Sequence, residues 1–356
     1  MPQDNKRRMK EMVIDTLFEY NRLTVRTFPH LFELKENKYE NMNAFKLNVK
    51  PMTTPNMFYG FRNYDDQDYE PQFMEEIDKQ SKGAPVYLFL PDFNASNSLS
   101  RLTKFTKFYQ RLPITFCEIN YGMMADLDQM ENCEYWLKIR DKLESEIGAT
   151  IDSDRFIMGN GPDFVIKSME TVEEAKGAAD VYMEAFGDGN ITPEISHAYQ
   201  NYPIKTKDYE WIVVKKDDKV VACGQLIKGQ ECACLQSITT RPSYQGHGFA
   251  TMVVVLLMIS AKKLGYKYCA LHSTKMGKPI YEKLGFQNLF DIEIVEVSHQ
   301  AKSWIGLLNQ FLGTNDNDLQ RNFPLNFYGR YIMATAALVS IPILSILGVM
   351  RSVYKR

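Results

Sequence analysis

Hydrophobic and polar positions along the chain fall into runs of two kinds. Short apolar or β-branched runs bounded by turn residues predict strands at 85–91, 164–167, 210–215, 219–226, 231–239 and 268–272. The turn Lys216-Asp217-Asp218 between the third and fourth of these predicts a hairpin. Longer runs predict helices: 98–110, a charged amphipathic helix over 131–147, and 171–185, where Thr171 and Glu174 have the spacing of a capping box. Residues 251–264 are apolar almost without a break, the mark of a helix buried all round, and 278–284 predicts a short helix. The dense turn chemistry of Gly159-Asn160-Gly161-Pro162-Asp163 marks a domain boundary. Strand, helix, hairpin, strand, glycine turn, helix, strand, helix, strand is the order of an α/β layer fold.

At 356 residues the chain has length for two ordinary domains, each with its own core. Lys and Arg number 42 against 44 Asp and Glu, a formal net charge of -2, so no basic excess points to nucleic acid. Six cysteines spread over this length, and no apolar signal peptide follows the basic, Met-rich start, which is the pattern of reduced thiols facing the cytosol. Cys232 and Cys234 share a strand face without a second ligand pair, so no metal site is expected.

Candidate chemistry lies where a strand passes into the long apolar helix, through Ser237 to Thr251, with Gly246 and Gly248 one residue apart. Such a junction presents several unpaired backbone N–H groups in one concave turn, and glycine leaves room for an anion to approach them. Two other phosphate-binding patterns are excluded. Thr251 stands where a dinucleotide fingerprint needs its third glycine, and Gly277-Lys278-Pro279 lacks the hydroxyl residue of a P-loop.

Gln245, Gly248 and Ala250 fill a pattern of Gln or Arg, two residues, Gly, one residue, then Gly or Ala. About thirty residues on, Tyr281-Glu282-Lys283-Leu284-Gly285-Phe286 ends a second block. Both blocks resemble those of the GNAT acyltransferase superfamily, and the likeness spans roughly 164–296. It implies a GNAT acyl-CoA N-acyltransferase fold, α/β in three layers, over 163–298, with acetyl-CoA as acyl donor and an amine of a small molecule or protein as acceptor. Carried onto this sequence, it gives Gln236, Ile238 and Thr240 the pantetheine arm, and the amides of Gln245, Gly246, His247, Gly248, Phe249, Ala250 and Thr251 the pyrophosphate. Tyr281 becomes the general acid, or else a packing residue. For the base the reading leaves Glu231 and His272 open, each with a plain alternative as a solvated or a structural side chain.

Residues 1–158 hold no catalytic constellation. Their stretch Tyr121-Gly122-Met123-Met124-Ala125-Asp126-Leu127 resembles the end of the non-catalytic half of two-part GNAT proteins, which implies a degenerate GNAT-like domain able to wall the acceptor pocket. After the acyltransferase segment, 299–330 reads as a linker with an amphipathic stripe at Trp304, Leu307, Leu308, Phe311 and Leu312. Residues 331–350 carry no charge over about 20 positions, enough for a helix to span a hydrocarbon core, with Arg330 before and Arg351, Lys355 and Arg356 after. The expectation is a membrane-anchored N-acetyltransferase whose catalytic domain faces the cytosol. The competing expectation is a membrane-tethered pseudoenzyme that binds acyl-CoA and transfers nothing.

Overall fold

The computed structural model describes residues 3–27, 32–38, 43–49, 56–61, 75, 77–79, 86–92, 114–151, 157–186 and 208–297. The expected helix over 98–110, the stripe after Trp304 and the uncharged stretch 331–350 lie outside them. Met1–Val297 forms one compact unit. It starts with helix α1 (Gln3–Thr27), strands β1 (Phe32–Lys38), β2 (Asn43–Val49), β3 (Asn56–Phe61), β4 (Val86–Asp92) and the long β5 (Ile114–Asp126). A 3-10 helix (Leu127–Asn132) leads to α2 (Glu134–Ser145), then β6 (Thr150–Ile151), β7 (Ile157–Asn160), β8 (Val165–Ser168) and α3 (Val172–Phe186). The second part continues with β9 (Tyr209–Lys216), β10 (Lys219–Lys228), β11 (Ala233–Thr240), α4 (Phe249–Lys263), β12 (Tyr268–Ser273), α5 (Lys278–Lys283) and β13 (Gln287–Val297).

Local signals explain most of these elements. At the start of α3 the Glu174 amide donates to Thr171 Oγ1 (3.1 Å) and the Thr171 amide to Glu174 Oε2 (3.2 Å), a closed capping box. The hairpin β9–β10 turns on Asp217 and Asp218, whose φ values of 49° and 60° are those of a two-residue I′ turn. The single helix expected over 131–147 is divided. Its first residues close the 3-10 helix, and Cys133, in extended conformation, separates them from α2.

All thirteen strands form one sheet in the order β1-β2-β3-β4-β13-β5-β12-β11-β10-β9-β8-β7-β6. β5, from the first part of the chain, lies between β12 and β13 of the second, and β13 pairs in turn with β4. The sheet therefore runs unbroken through both parts. Side chains alternate across it. Met123, Leu235 and Leu271 join a core under α4, whereas Met124, Ala270 and Phe290 join one under α1. On β10, Cys223 points to the Ala178 carbonyl of α3, and the position of Gly224 faces Val253 and Leu257 of α4. Helices α1 and α3 thus cover one face and α4 the other, which makes three layers.

Candidate active site

β12 is shorter than its neighbours, and its pairing shows where they part. With β11 the ladder ends at Leu235–Leu271, while β11 runs on to Thr240. With β5 it ends at Ser273–Tyr121, while β5 extends back to Ile114. Above β12 the sheet is split by a notch, walled by residues 236–240 of β11 and 114–120 of β5. The register of β11 against β10 slips by one residue between Gln225–Gln236 and Cys223–Thr239, and Ser237 in that bulge has φ 54°, unusual for serine. A bulge bends and twists its strand, which carries the upper half of β11 away from β12.

Gln236, Ile238 and Thr240 all lie on this diverging stretch and are half-buried. Their strand has no partner on the notch side among the described residues. Gln236 Nε2 donates to Cys234 Sγ at 3.4 Å, and Thr240 Oγ1 is buried without a partner.

The glycine turn follows at the top of β11. Gly246 and Gly248 have φ 83° and 81°, and a Cβ built on either would meet no atom within 4 Å, so the space above both is open. Helix α4 makes its first backbone bond from the Met252 amide to the Gly248 carbonyl (3.0 Å). The amides of Gly246, His247, Gly248, Phe249, Ala250 and Thr251 have no acceptor among the described residues, whereas that of Gln245 donates to the Pro242 carbonyl (3.4 Å). Six consecutive free donors at a helix N-terminus make an anion cradle. The His247 ring stacks on Phe249 at 5.8 Å, and its Nδ1 lies 3.1 Å from the Tyr244 carbonyl and 3.2 Å from that of Gln245. Two carbonyl partners require Nδ1 to carry the proton. Phe249, buried, meets Phe164 edge-on and anchors the turn.

Tyr281 sits on α5, which starts just beyond the end of β12 and packs on the α4 face. Its ring is 9 % exposed and meets Phe286 edge-on at 5.8 Å. A Cβ at Gly277 would come within 2.9 Å of that ring, so glycine makes room for it. Burial pushes the Tyr281 phenol well above its usual range, which keeps it protonated. Glu231 stands elsewhere. It precedes β11 at the end away from the glycine turn, largely exposed, and pairs with Arg8 at 3.3 Å. At about 3.3 Å per residue, the seven positions from Glu231 to Ile238 span roughly 20 Å.

His272 lies near the end of β12 on the α1 face. Both ring nitrogens are buried; the Val13 carbonyl comes near but makes no hydrogen bond, and burial lowers the imidazole to about 4, so it is neutral at pH 7. Burial likewise raises the Cys223 thiol to about 12 and the Cys234 thiol to about 11, which leaves neither as a thiolate. Among the described residues no group of His, Cys, Asp and Glu is placed to hold a metal ion. Glu118 and Asn120, on the β5 wall of the notch, were not singled out from the sequence. The β-branched and aromatic content of 114–121 was their one available signal.

A family model described as an acetyltransferase (GNAT) domain matches residues 207–288, from just before β9 into β13. This part of the chain is a GNAT domain. With this domain goes acyl transfer. The match includes the diverging strand, the glycine turn, α4 and α5, but not β5, so the GNAT sheet is extended by a strand from outside it. No curated protein matches the chain. Among solved structures it is similar to a GCN5-related N-acetyltransferase from Kribbella flavida, at 8% identity over 78% of this chain and 94% of the other, TM-score 0.48. It is also similar to one from Sphaerobacter thermophilus, at 12% identity over 71% and 76%, TM-score 0.47. A glucosamine-6-phosphate N-acetyltransferase from Arabidopsis thaliana has 19% identity over 35% and 92%, TM-score 0.30. At identities and TM-scores of this size these are general likenesses, and the GNAT assignment rests on the family model.

Proposed function

We propose that this GNAT protein transfers an acetyl group from acetyl-CoA to an amine of a small molecule or protein. The observation that carries the reading is the row of amides from Gly246 to Thr251 that, among the described residues, have no acceptor, beside a strand edge from Gln236 to Thr240 that has no partner among them. An extended pantetheine arm can pair with such an edge while the diphosphate fills the cradle. The thioester then hangs in the notch. A neutral amine attacks its carbonyl, the C–N bond forms and the C–S bond breaks. The departing thiolate needs a proton, and the protonated Tyr281 phenol is the donor we assign to it.

Residues 1–158 act in this account as a half without a coenzyme-binding turn of its own, with β5 joined to the catalytic sheet. We further propose that 331–350 anchors the chain in a membrane with the acyltransferase domain in the cytosol, where acetyl-CoA is supplied. Its uncharged length and basic flanks support this. No helix among the described residues is long and apolar enough to cross a membrane.

The test is thiol release from acetyl-CoA over a panel of primary amines, alongside calorimetry with acetyl-CoA alone. Turnover with at least one amine is expected. Tight binding with no turnover on any amine would favour the pseudoenzyme instead.

A further inference from the structure

The face of the sheet under α1 carries polar side chains that the mechanism above does not use. Across four strands they form a row. Gln225 on β10 is paired in register with Gln236 on β11. Gln236 lies one step past the last β11–β12 pair, level with His272, which is opposite Gly122 on β5. Asn120 and Glu118 follow on the same face of β5, two and four residues along, where that strand walls the notch.

Buried polar groups are nearly always hydrogen-bonded, and an orphan calls for a reason. Here Gln225 Nε2, Asn120 Oδ1 and both nitrogens of His272 are buried with no hydrogen-bond partner among the described residues. Glu118 is a half-buried carboxylate whose neighbour is Asn120, Nδ2 donating to its Oε1 at 3.4 Å, and among the described residues no cation pairs with it. A carboxylate withdrawn from water without a counter-charge costs stability. An acceptor amine, which arrives as an ammonium at neutral pH, supplies that missing charge.

Resting on the acetyl-transfer reading, we propose that Glu118 is the catalytic base, and that Asn120, His272 and Gln236 form the floor on which the acceptor amine lies. Glu118 takes the first proton from the ammonium and gives it up to solvent. The neutral nitrogen attacks the thioester carbon, the C–S bond breaks, and Tyr281 protonates the sulfur. The second nitrogen proton then restores the Tyr281 phenol, so the sum is one amide, one free thiol and one released proton. Tyr281 lies on the α4 face and Glu118 on the α1 face, so acid and base approach the notch from opposite sides. Burial also lifts the Glu118 carboxyl above its usual range, against the opposing bond from Asn120, which suits a group that must accept a proton near neutrality. The catalytic base then comes from the half of the chain that lacks the GNAT signature.

Glu118→Gln in the full-length chain decides the matter, assayed with acetyl-CoA and a panel of benzylamine, ethanolamine, putrescine and a short peptide with a free amino terminus. The expected result is a loss of about 100-fold or more in kcat/KM for the amine, with acetyl-CoA affinity within about twofold and a melting temperature equal to or above that of the wild type. Removing a half-buried charge that no described cation pairs should relieve the fold. Undiminished turnover would overturn the assignment while leaving the acetyl-transfer reading intact. A variant that unfolds or loses acetyl-CoA would also overturn it, because that would make Glu118 a structural group. A wild type that binds acetyl-CoA but acetylates none of the panel removes the transfer reading and this base with it.

Discussion

Tyr281 shows how one side chain can be a core residue and a chemical one. Its ring is packed against Phe286 and walled by Gly277, while burial holds its phenol protonated. Tyr281→Phe keeps the ring and removes only the proton donor. We expect kcat to fall about 100-fold with acetyl-CoA affinity nearly unchanged, as read by thiol release and calorimetry; equal turnover would leave Tyr281 a packing residue. The tyrosine and the two turn glycines were legible in the sequence because their pattern is local. The orphaned atoms of Asn120 and His272 were not, since burial and the lack of a partner are properties of the assembled sheet. Glu231 was read as opening a strand, a candidate base or else a solvated side chain; the chain sets it just before β11, where its contact is a surface ion pair.

Among the elements, α3 has the clearest local determinants. Glu174 accepts from the amides of Glu170 (2.8 Å) and Thr171 (3.2 Å), and Lys167 Nζ lies 3.2 Å from it. Burial alone would raise its carboxyl, but these amides and the Lys167 ammonium outweigh burial and hold it below the usual range. A carboxylate lowered in the folded state stabilises fully above its unfolded value, and that contribution is lost as pH falls through the folded one. Glu174→Gln should therefore cost about 1 kcal/mol at pH 7, and urea unfolding repeated at pH 3 should find the deficit much reduced. An equal deficit at both would mean that the charge does not matter. The same locality made the hairpin at Asp217-Asp218 and the buried helix α4 readable in advance. Cys133 divides the expected helix over 131–147 because its backbone is extended, a break that the spacing of apolar residues does not record.

The whole molecule is organised by the placement of β5. Met123 and Ala125 fill the core under α4, and Met124 the one under α1, so this one strand serves both layers of the GNAT part. The sequence placed a boundary near 159–163 because turn residues cluster there, and nothing local could reveal that Ser273 pairs with Tyr121. Such long-range pairing is set by tertiary fit. A chain lacking residues 1–155 should accordingly fail to melt cooperatively in calorimetry; a folded, acetyl-CoA-binding fragment would show that β5 is dispensable. Everything else depends on the cradle at the top of β11. Its most direct measurement is a calorimetric titration of acetyl-CoA into the wild type, Gly248→Ala and Gly248→Glu. A Cβ at 248 meets no described atom, but φ 81° strains any side chain there, a cost both variants share, so it is the further loss from alanine to glutamate that reports a carboxylate in the diphosphate's place. The account predicts binding by the wild type, weaker binding by the alanine variant and none by the glutamate variant; equal affinity in all three, or no binding by the wild type, would contradict it.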